Sequence, residues 1–308
     1  MIELRNLHRT FGPTKAVNDI SFEVPAGAVF GYIGPNGAGK TTSMRILSTL
    51  ELPSRGDAYI DGFSVVQDPD RVRKRLGFMP DYFWTYPNIN VAEYLDFFAR
   101  AYGLVGRERK QALQRVMEFT GLDKLSEKPI NGLSKGMKQR LCLGRTIIHD
   151  PAVLILDEPA AGLDPRARIE LRDMIGQLAA EGKAILISSH ILTELAEMCD
   201  RVAIVELGQL VAVGTVAEIQ RKLQPHRTVQ LRVLSDPSAA ARWLEARGDV
   251  GSITVTGDLI RFQHEGDRES EANLLKALVL AEIQVIEFSA YAQSLEEVFL
   301  QVTRGAVQ

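Results

Sequence analysis

Residues 34–41 read GPNGAGKT, a full match to the pattern G-x-x-x-x-G-K-[ST]. With Gly at about 7% of residues, four fixed positions match by chance in about one chain of this length in a hundred. The neighbouring sequence makes coincidence rarer still. Residues 28–33 form a continuous apolar run that predicts a buried strand, and residues 41–50 follow as a helix. A strand, a glycine-rich loop and a helix in that order make an anion cradle. Gly34, Gly37 and Gly39 let the backbone curl around Pro35, so that successive amide N–H groups, those of Asn36 and Ala38 among them, point at phosphate oxygens before a helix N-terminus. Lys40 adds a point charge for the β- and γ-phosphates. Thr41 offers a hydroxyl to Mg²⁺, and Thr42 one near the α-phosphate.

A magnesium site of this type needs a carboxylate at the end of a buried strand. Residues 152–156 are such a strand, and Asp157–Glu158–Pro159 follow it. Asp157 is expected to hold Mg²⁺ through water. Glu158 projects past the strand end, where it can polarise the attacking water. The bland alternative is two solvated acids capping a strand. Together these motifs indicate only a P-loop NTPase that uses Mg²⁺; the segment between them decides the family.

Further strands are expected at 2–7, 20–24, 58–61, 76–79, 184–188 and 201–206, with helices at 165–181 and 191–199. Strands alternating with helices imply a mainly parallel, covered sheet. Residues 82–148 are mainly helical, with apolar recurrence near three to four in 91–102, 107–120 and 135–148. A junction is expected at Gln224–Pro225–His226, giving domains 1–224 and 225–308. Beyond it the order is strand (228–234), helix (237–247), strand (253–256), strand (259–263), helix (268–282), strand (284–289) and a final helix near 295–302. That βαββαβ order is ferredoxin-like.

Composition sets outer limits. The 308 residues are 45% hydrophobic and 24% charged, enough to bury a core without disulfides. Residues 226–308 carry 8 Lys+Arg against 12 Asp+Glu, which leaves 28 against 27 in the first 225. No basic block appears, so nucleic acid is not an expected partner. Cys142 and Cys199 lie far apart and read as small buried apolar residues. The first residues lack a signal-peptide pattern, and no run approaches the roughly 20 apolar residues of a membrane helix. His8, His149, His226 and His264 read as core or surface residues, with His264 beside Glu265 in a solvated loop.

Residues 133–140 read LSKGMKQR and precede a helix, with 16 residues between the string and Asp157. The string resembles the LSGGQ-x-QR signature of ATP-binding-cassette (ABC) proteins, with Lys135 in place of Gly and Met137 in place of Gln. Locally, Ser134 could simply cap a helix. Other marks of that family fall in order over residues 1 to about 220. Phe11 matches the adenine-stacking aromatic, Asp81 stands where the family has Gln, Leu163–Asp164 follow the catalytic Glu, and His190 matches the switch histidine. The resemblance implies that Glu158, His190 and Asp81 serve hydrolysis and that Thr41, Asp157 and Asp81 serve the metal. It implies that Ser134 and Gly136 contact the γ-phosphate of a second copy, or of a paralogous cassette, packed head to tail. Lys135 then either assists that phosphate or is merely solvated.

Asp81, the SKGM form and the string SLEEVFL at 294–300 are similar to one exporter branch, which moves drugs, natural products, sodium and polysaccharides. A separate membrane permease is the implied partner, and the cytoplasmic face of the cell membrane the implied location. Exposed aromatics at Tyr82, Phe83, Trp84 and Tyr86 are the expected permease-docking surface. Competing classes are a soluble cassette acting on ribosomes or DNA and an idle regulatory cassette. The single cassette, the absence of a basic stripe, and the presence of Lys40, Asp157, Glu158 and His190 argue against both.

Overall fold

The computed structural model describes every residue except 83–87, 190–194, 196, 197, 216, 220–226 and 292–308. His190, Trp84 and its aromatic neighbours Phe83 and Tyr86, the 294–300 string, and the expected junction at 224/225 therefore lie outside the described residues. The described residues divide into two compact units, one within Met1–Val216 and one within Ala217–Val298.

The first unit opens with an antiparallel hairpin, β1 (Ile2–Phe11) and β2 (Thr14–Val24), turned at Gly12–Pro13. Both strands run longer than the alternating segments expected, because β1 also pairs with β4 (Arg55–Ile60). With β5 (Phe63–Ser64) these make a sheet of order β2-β1-β4-β5.

The second sheet holds β3 (Val29–Ile33), β6 (Leu76–Met79), β7 (Val153–Leu156), β8 (Ala184–Ser189), β9 (Arg201–Glu206) and β10 (Gln209–Gly214). Its order is β10-β9-β3-β8-β7-β6, parallel throughout except for the β9–β10 hairpin. Every residue of β3, β7 and β8 is buried, as strands covered on both faces require. Between the two sheets, Phe22 stacks on Phe30 with ring centroids 5.2 Å apart.

Helix α1 (Lys40–Leu47) follows β3, and α2 (Pro69–Arg75) precedes β6. The sequence reading missed α2: its seven residues bury only Val72, too little to show a period. Helices α3 (Val91–Ala101), α4 (Gly106–Phe119) and α5 (Lys135–Ile147) build the helical part, and α6 (Pro165–Ala180) follows β7. Helix α3 buries Val91, Tyr94, Leu95 and Ala99, a single helical stripe, and starts on an Asn90/Glu93 capping box. Cys142 of α5 is buried as expected, which pushes its thiol up to about 11.

In the second unit, β11 (Arg227–Val233), α7 (Pro237–Glu245), β12 (Val250–Thr256), β13 (Leu259–His264), α8 (Arg268–Leu280) and β14 (Val285–Tyr291) follow in turn. The antiparallel order β12-β13-β11-β14 completes the ferredoxin-like pattern. Val229, Leu231 and Val233 alternate along β11 and join Ile260, Phe262, Leu244, Leu274 and Leu278 in one core. His264 is not in a solvated loop. It is fully buried at the end of β13, its Nε2 3.6 Å from a carboxylate oxygen of Asp249.

Candidate nucleotide site

Parallel pairing brings the carboxyl ends of β3, β7 and β8 to one edge of the sheet, where ligands of such folds bind. The glycine-rich loop leaves β3 there and enters α1. Gly39, the residue before α1, has φ +96°, and a Cβ on it would lie 2.1 Å from the Ala16 carbonyl oxygen. A Cβ on Gly34 would lie 2.4 Å from the Val205 carbonyl oxygen. Larger residues are excluded at both positions by backbone, which cannot yield as a flexible side chain can. Helix α1 starts with neither a side-chain cap nor an acidic residue in its first turn, so its free N–H groups and dipole face an incoming anion.

Lys40 is buried, and its Nζ donates to the carbonyls of Gly34 at 2.6 Å and Pro35 at 3.2 Å. Burial holds its pKa below the usual lysine range, against the opposing pull of the Glu158 and Asp157 carboxylates. Beneath the loop, the Tyr32 hydroxyl lies 3.0 Å from Ser43 Oγ, which donates to the Gly39 carbonyl at 3.1 Å. Nothing in the motif pattern points to Tyr32 or Ser43. Their contact depends on α1 packing over β3.

A cleft of about 580 Å³ opens above the loop, lined by Phe11, Thr14, Ala16, Asn36–Thr42, Asp81, Glu158 and Ala161. Its volume suits a nucleotide-sized ligand. Phe11, at the end of β1, is 45% exposed, with the Arg9 guanidinium 4.4 Å from its ring centroid. An aromatic face is thus held at the cleft, with a cation stacked on it.

Asp157, just beyond β7, is tied by its N–H to the Met79 carbonyl at 2.8 Å. Its Oδ1 accepts from Ser188 Oγ, while its buried Oδ2 has no hydrogen-bond partner among the described residues. Burial raises the Asp157 pKa above the usual range. The Ser188 and Thr41 hydroxyls oppose that shift, and the nearby Asp81 and Glu158 charges add to it. A buried carboxylate oxygen left unpaired is costly unless a cation or donor meets it. With the Thr41 hydroxyl alongside, the donor set is all oxygen and suits a hard divalent ion. No cluster of three His, Cys, Asp or Glu that could hold a metal alone occurs among the described residues, so phosphate oxygens would have to complete the shell. Glu158 lines the same cleft with φ +50°, its N–H donating to Ser188 Oγ at 2.9 Å.

The signature residues sit elsewhere. Ser134 and Gly136 do not line this cleft. Ser134 caps α5, accepting from the Met137 N–H at 3.3 Å. A Cβ on Gly136 would lie 2.9 Å from Ala167 Cβ, so the glycine permits close approach of α6. Lys135 folds toward the loop after Glu158: a Cβ on Gly162 would lie 2.2 Å from its Nζ. Gln139, within α5, donates to the Pro159 carbonyl at 2.7 Å.

Comparison with known proteins gives a consistent picture. The family model described as ABC transporter matches residues 17–161, and that described as "ATP-binding protein DrrA1-3-like, C-terminal domain" matches residues 214–303. The chain is 32% identical to a Nod factor export ATP-binding protein I of Burkholderia lata, covering 100% of this chain and 98% of that one. It is 29% identical to the linearmycin resistance ATP-binding protein LnrL of Bacillus subtilis, covering 98% of each. A solved ATP-binding subunit of an ABC transporter superposes with TM-score 0.66 at 31% identity, covering 72% of this chain and 92% of that one.

Proposed function

The chain belongs to the ABC transporter family as an ATP-binding, ATP-hydrolysing subunit, and from that premise we propose how it works and what it serves. Adenine stacks at Phe11, a contact typically worth about 1–3 kcal/mol. The triphosphate lies along residues 34–42, with the charge of Lys40 at its far end. Thr41 and Asp157 hold Mg²⁺, with Asp81 within reach through water. The ion, when bound, neutralises charge on the β- and γ-phosphate oxygens. Glu158 accepts a proton from the attacking water, and His190 assists at the γ-phosphate. Ser134 and Gly136, displaced from the chain's own cleft, act on the nucleotide of a second copy packed head to tail. One observation carries this reading: Lys40, Thr41, Asp81 and Glu158 line one cleft with an exposed aromatic, and the residue before Glu158 is a buried carboxylate whose Oδ2 lacks a hydrogen bond.

No helix among the described residues is long and apolar enough to cross a membrane. Membership of the transporter family is what implies a separate permease chain, and we place this subunit on its cytoplasmic face. Export is supported by relatives of matching length whose names specify drug resistance or export. Exposed Tyr82 and Phe97, and a hollow of about 260 Å³ lined by Leu50, Phe78, Phe98 and Tyr102, supply apolar surface for docking.

Glu158→Gln tests the assignment. The near-isosteric amide cannot take up the proton, so hydrolysis should fall by about 10²–10⁴-fold while ATP binding persists. Sizing chromatography with ATP should then show an accumulated dimer. Near-native hydrolysis by this variant would remove Glu158 from its role.

A further inference from the structure

Behind the two carboxylates stands a side chain to which no role has been given. Ser188 is fully buried near the end of β8, after four buried apolar residues, 184–187. Its hydroxyl makes two bonds at once, donating to Asp157 Oδ1 and accepting the Glu158 N–H at 2.9 Å. A hydroxyl has a single proton. Spending it on Asp157 turns the oxygen lone pairs toward Glu158, so one rotamer satisfies both partners.

Glu158 needs that anchor. Its φ of +50° is a left-handed conformation that side-chain-bearing residues rarely adopt, and such backbone persists only where its surroundings enforce it. The next residue is gripped from the opposite side by Gln139, through the Pro159 carbonyl. The segment carrying Glu158 is thus fixed at one end by β8 and at the other by the signature helix.

We propose that Ser188 is a positioning residue for ATP hydrolysis: through the Glu158 backbone it sets where the Glu158 carboxylate meets the attacking water. This rests on the assignment of Glu158 made above. Ser188 is fully buried and does not line the cleft, so its contribution belongs to the rate of the chemical step and not to nucleotide affinity. Small misplacements of a reacting group cost rates of up to about 10²-fold.

A double-mutant cycle on the full chain decides the matter, using Ser188→Ala, Glu158→Gln and the pair. Single-turnover phosphate release and steady-state ATPase give the rates. Binding of a fluorescent ATP analogue in EDTA gives an affinity independent of metal and turnover. Ser188→Ala should lower kcat by about 10- to 100-fold, leaving KM and analogue affinity within about threefold. On the Glu158→Gln background the same change should have almost no further effect. The proposal is overturned if Ser188→Ala keeps kcat within twofold of native, or if affinity falls in step with kcat. An undiminished effect on the Glu158→Gln background would also overturn it, because Ser188 would then act through Asp157 or through packing alone. A fast Glu158→Gln protein would instead refute the assignment of Glu158, a separate and recognisable failure.

Discussion

The two units of this chain bury polar atoms to different ends. In Met1–Val216 the fully enclosed polar groups include Lys40, Gln139, Asp157, Ser188 and Ser189, gathered at the carboxyl ends of parallel strands or on the elements packed there. Lys40 and Gln139 bond to loop carbonyls and Ser188 bonds to Asp157, whose Oδ2 is left without a hydrogen bond directly before the cleft-lining Glu158. In the second unit the core is a plain sandwich of one sheet face and two helices. Its outward face carries ion pairs such as Arg232 with Asp258 and Glu287, half-exposed and worth little to stability. Two polar side chains are buried in this unit, Glu271 and the fully enclosed His264, whose ring nitrogens lack hydrogen bonds among the described residues and whose Nε2 lies 3.6 Å from the Asp249 carboxylate. Buried polarity that converges on an opening marks chemistry, whereas an isolated instance inside an apolar core marks packing.

That contrast is easiest to break at Lys40. Lys40→Ala removes the only buried ammonium lining the cleft, and losing one partner of a buried charge pair costs about 2–5 kcal/mol. ATP affinity should fall by about 10²–10³-fold in titration calorimetry, with the melting of the second unit unmoved. An affinity within fivefold of native would break the contrast at its strongest point.

Phe262→Ala is the converse. Emptying the centre of the second core should cost that unit about 3–5 kcal/mol in a denaturant melt. ATP binding by the first unit should be unchanged. Parallel loss of nucleotide affinity would show that the units do not divide labour as described.

A third change sharpens the picture through pH. His149 stacks on Tyr102 with centroids 3.6 Å apart and contacts the Leu76 carbonyl at 3.1 Å. Burial lowers its pKa to about 4, against 6.5 for a free imidazole. The unfolded chain therefore binds the proton more readily, so stability is complete above about pH 6.5 and is lost as pH falls toward 4. The loss should be about 2–3 kcal/mol, confined to the first unit. His149→Phe should flatten that limb of a stability–pH curve. An unchanged limb would place the acid sensitivity elsewhere.

The smallest effect is expected from removing the second unit. A chain ending at Gln224 should bind ATP within about threefold of native affinity, since every residue lining the cleft precedes that point. A folded truncated chain that cannot bind nucleotide would refute the division of roles.

Much of the first unit was legible in the sequence because its decisive features are local. The loop at 34–41, the apolar strand before Asp157 and the turn at Gly12–Pro13 each declare themselves within ten residues. Ser188, Gln139, Tyr32 and Ser43 were not legible. Ser188 reaches Asp157 only because β7 and β8 pair with Leu156 opposite Ile187, and Gln139 reaches Pro159 only because α5 packs under that strand end. Such contacts are set by register and packing across 20 to 31 residues, which no spacing rule encodes. His264 was misread for a related reason: a polar pair at a strand end looks solvated until the neighbouring strand and helix are placed over it. In β12, residues 250–252 carry too little apolar alternation to be read as strand, yet they extend it through pairing with β13.

The strand order also governs how the protein comes into being. β3, which launches the phosphate loop, pairs with β8 and β9, both more than 150 residues further along the chain. The β1–β2 hairpin can close as soon as it leaves the ribosome, because its partners are separated by a two-residue turn. β3 must wait for residues 184–206. At about 5–20 residues per second that delay is roughly 10–35 s, during which an apolar strand is made but has no neighbours. A half-synthesised chain is thus unable to capture ATP, and stabilisation by nucleotide arrives only when the sheet closes around its first-made strand.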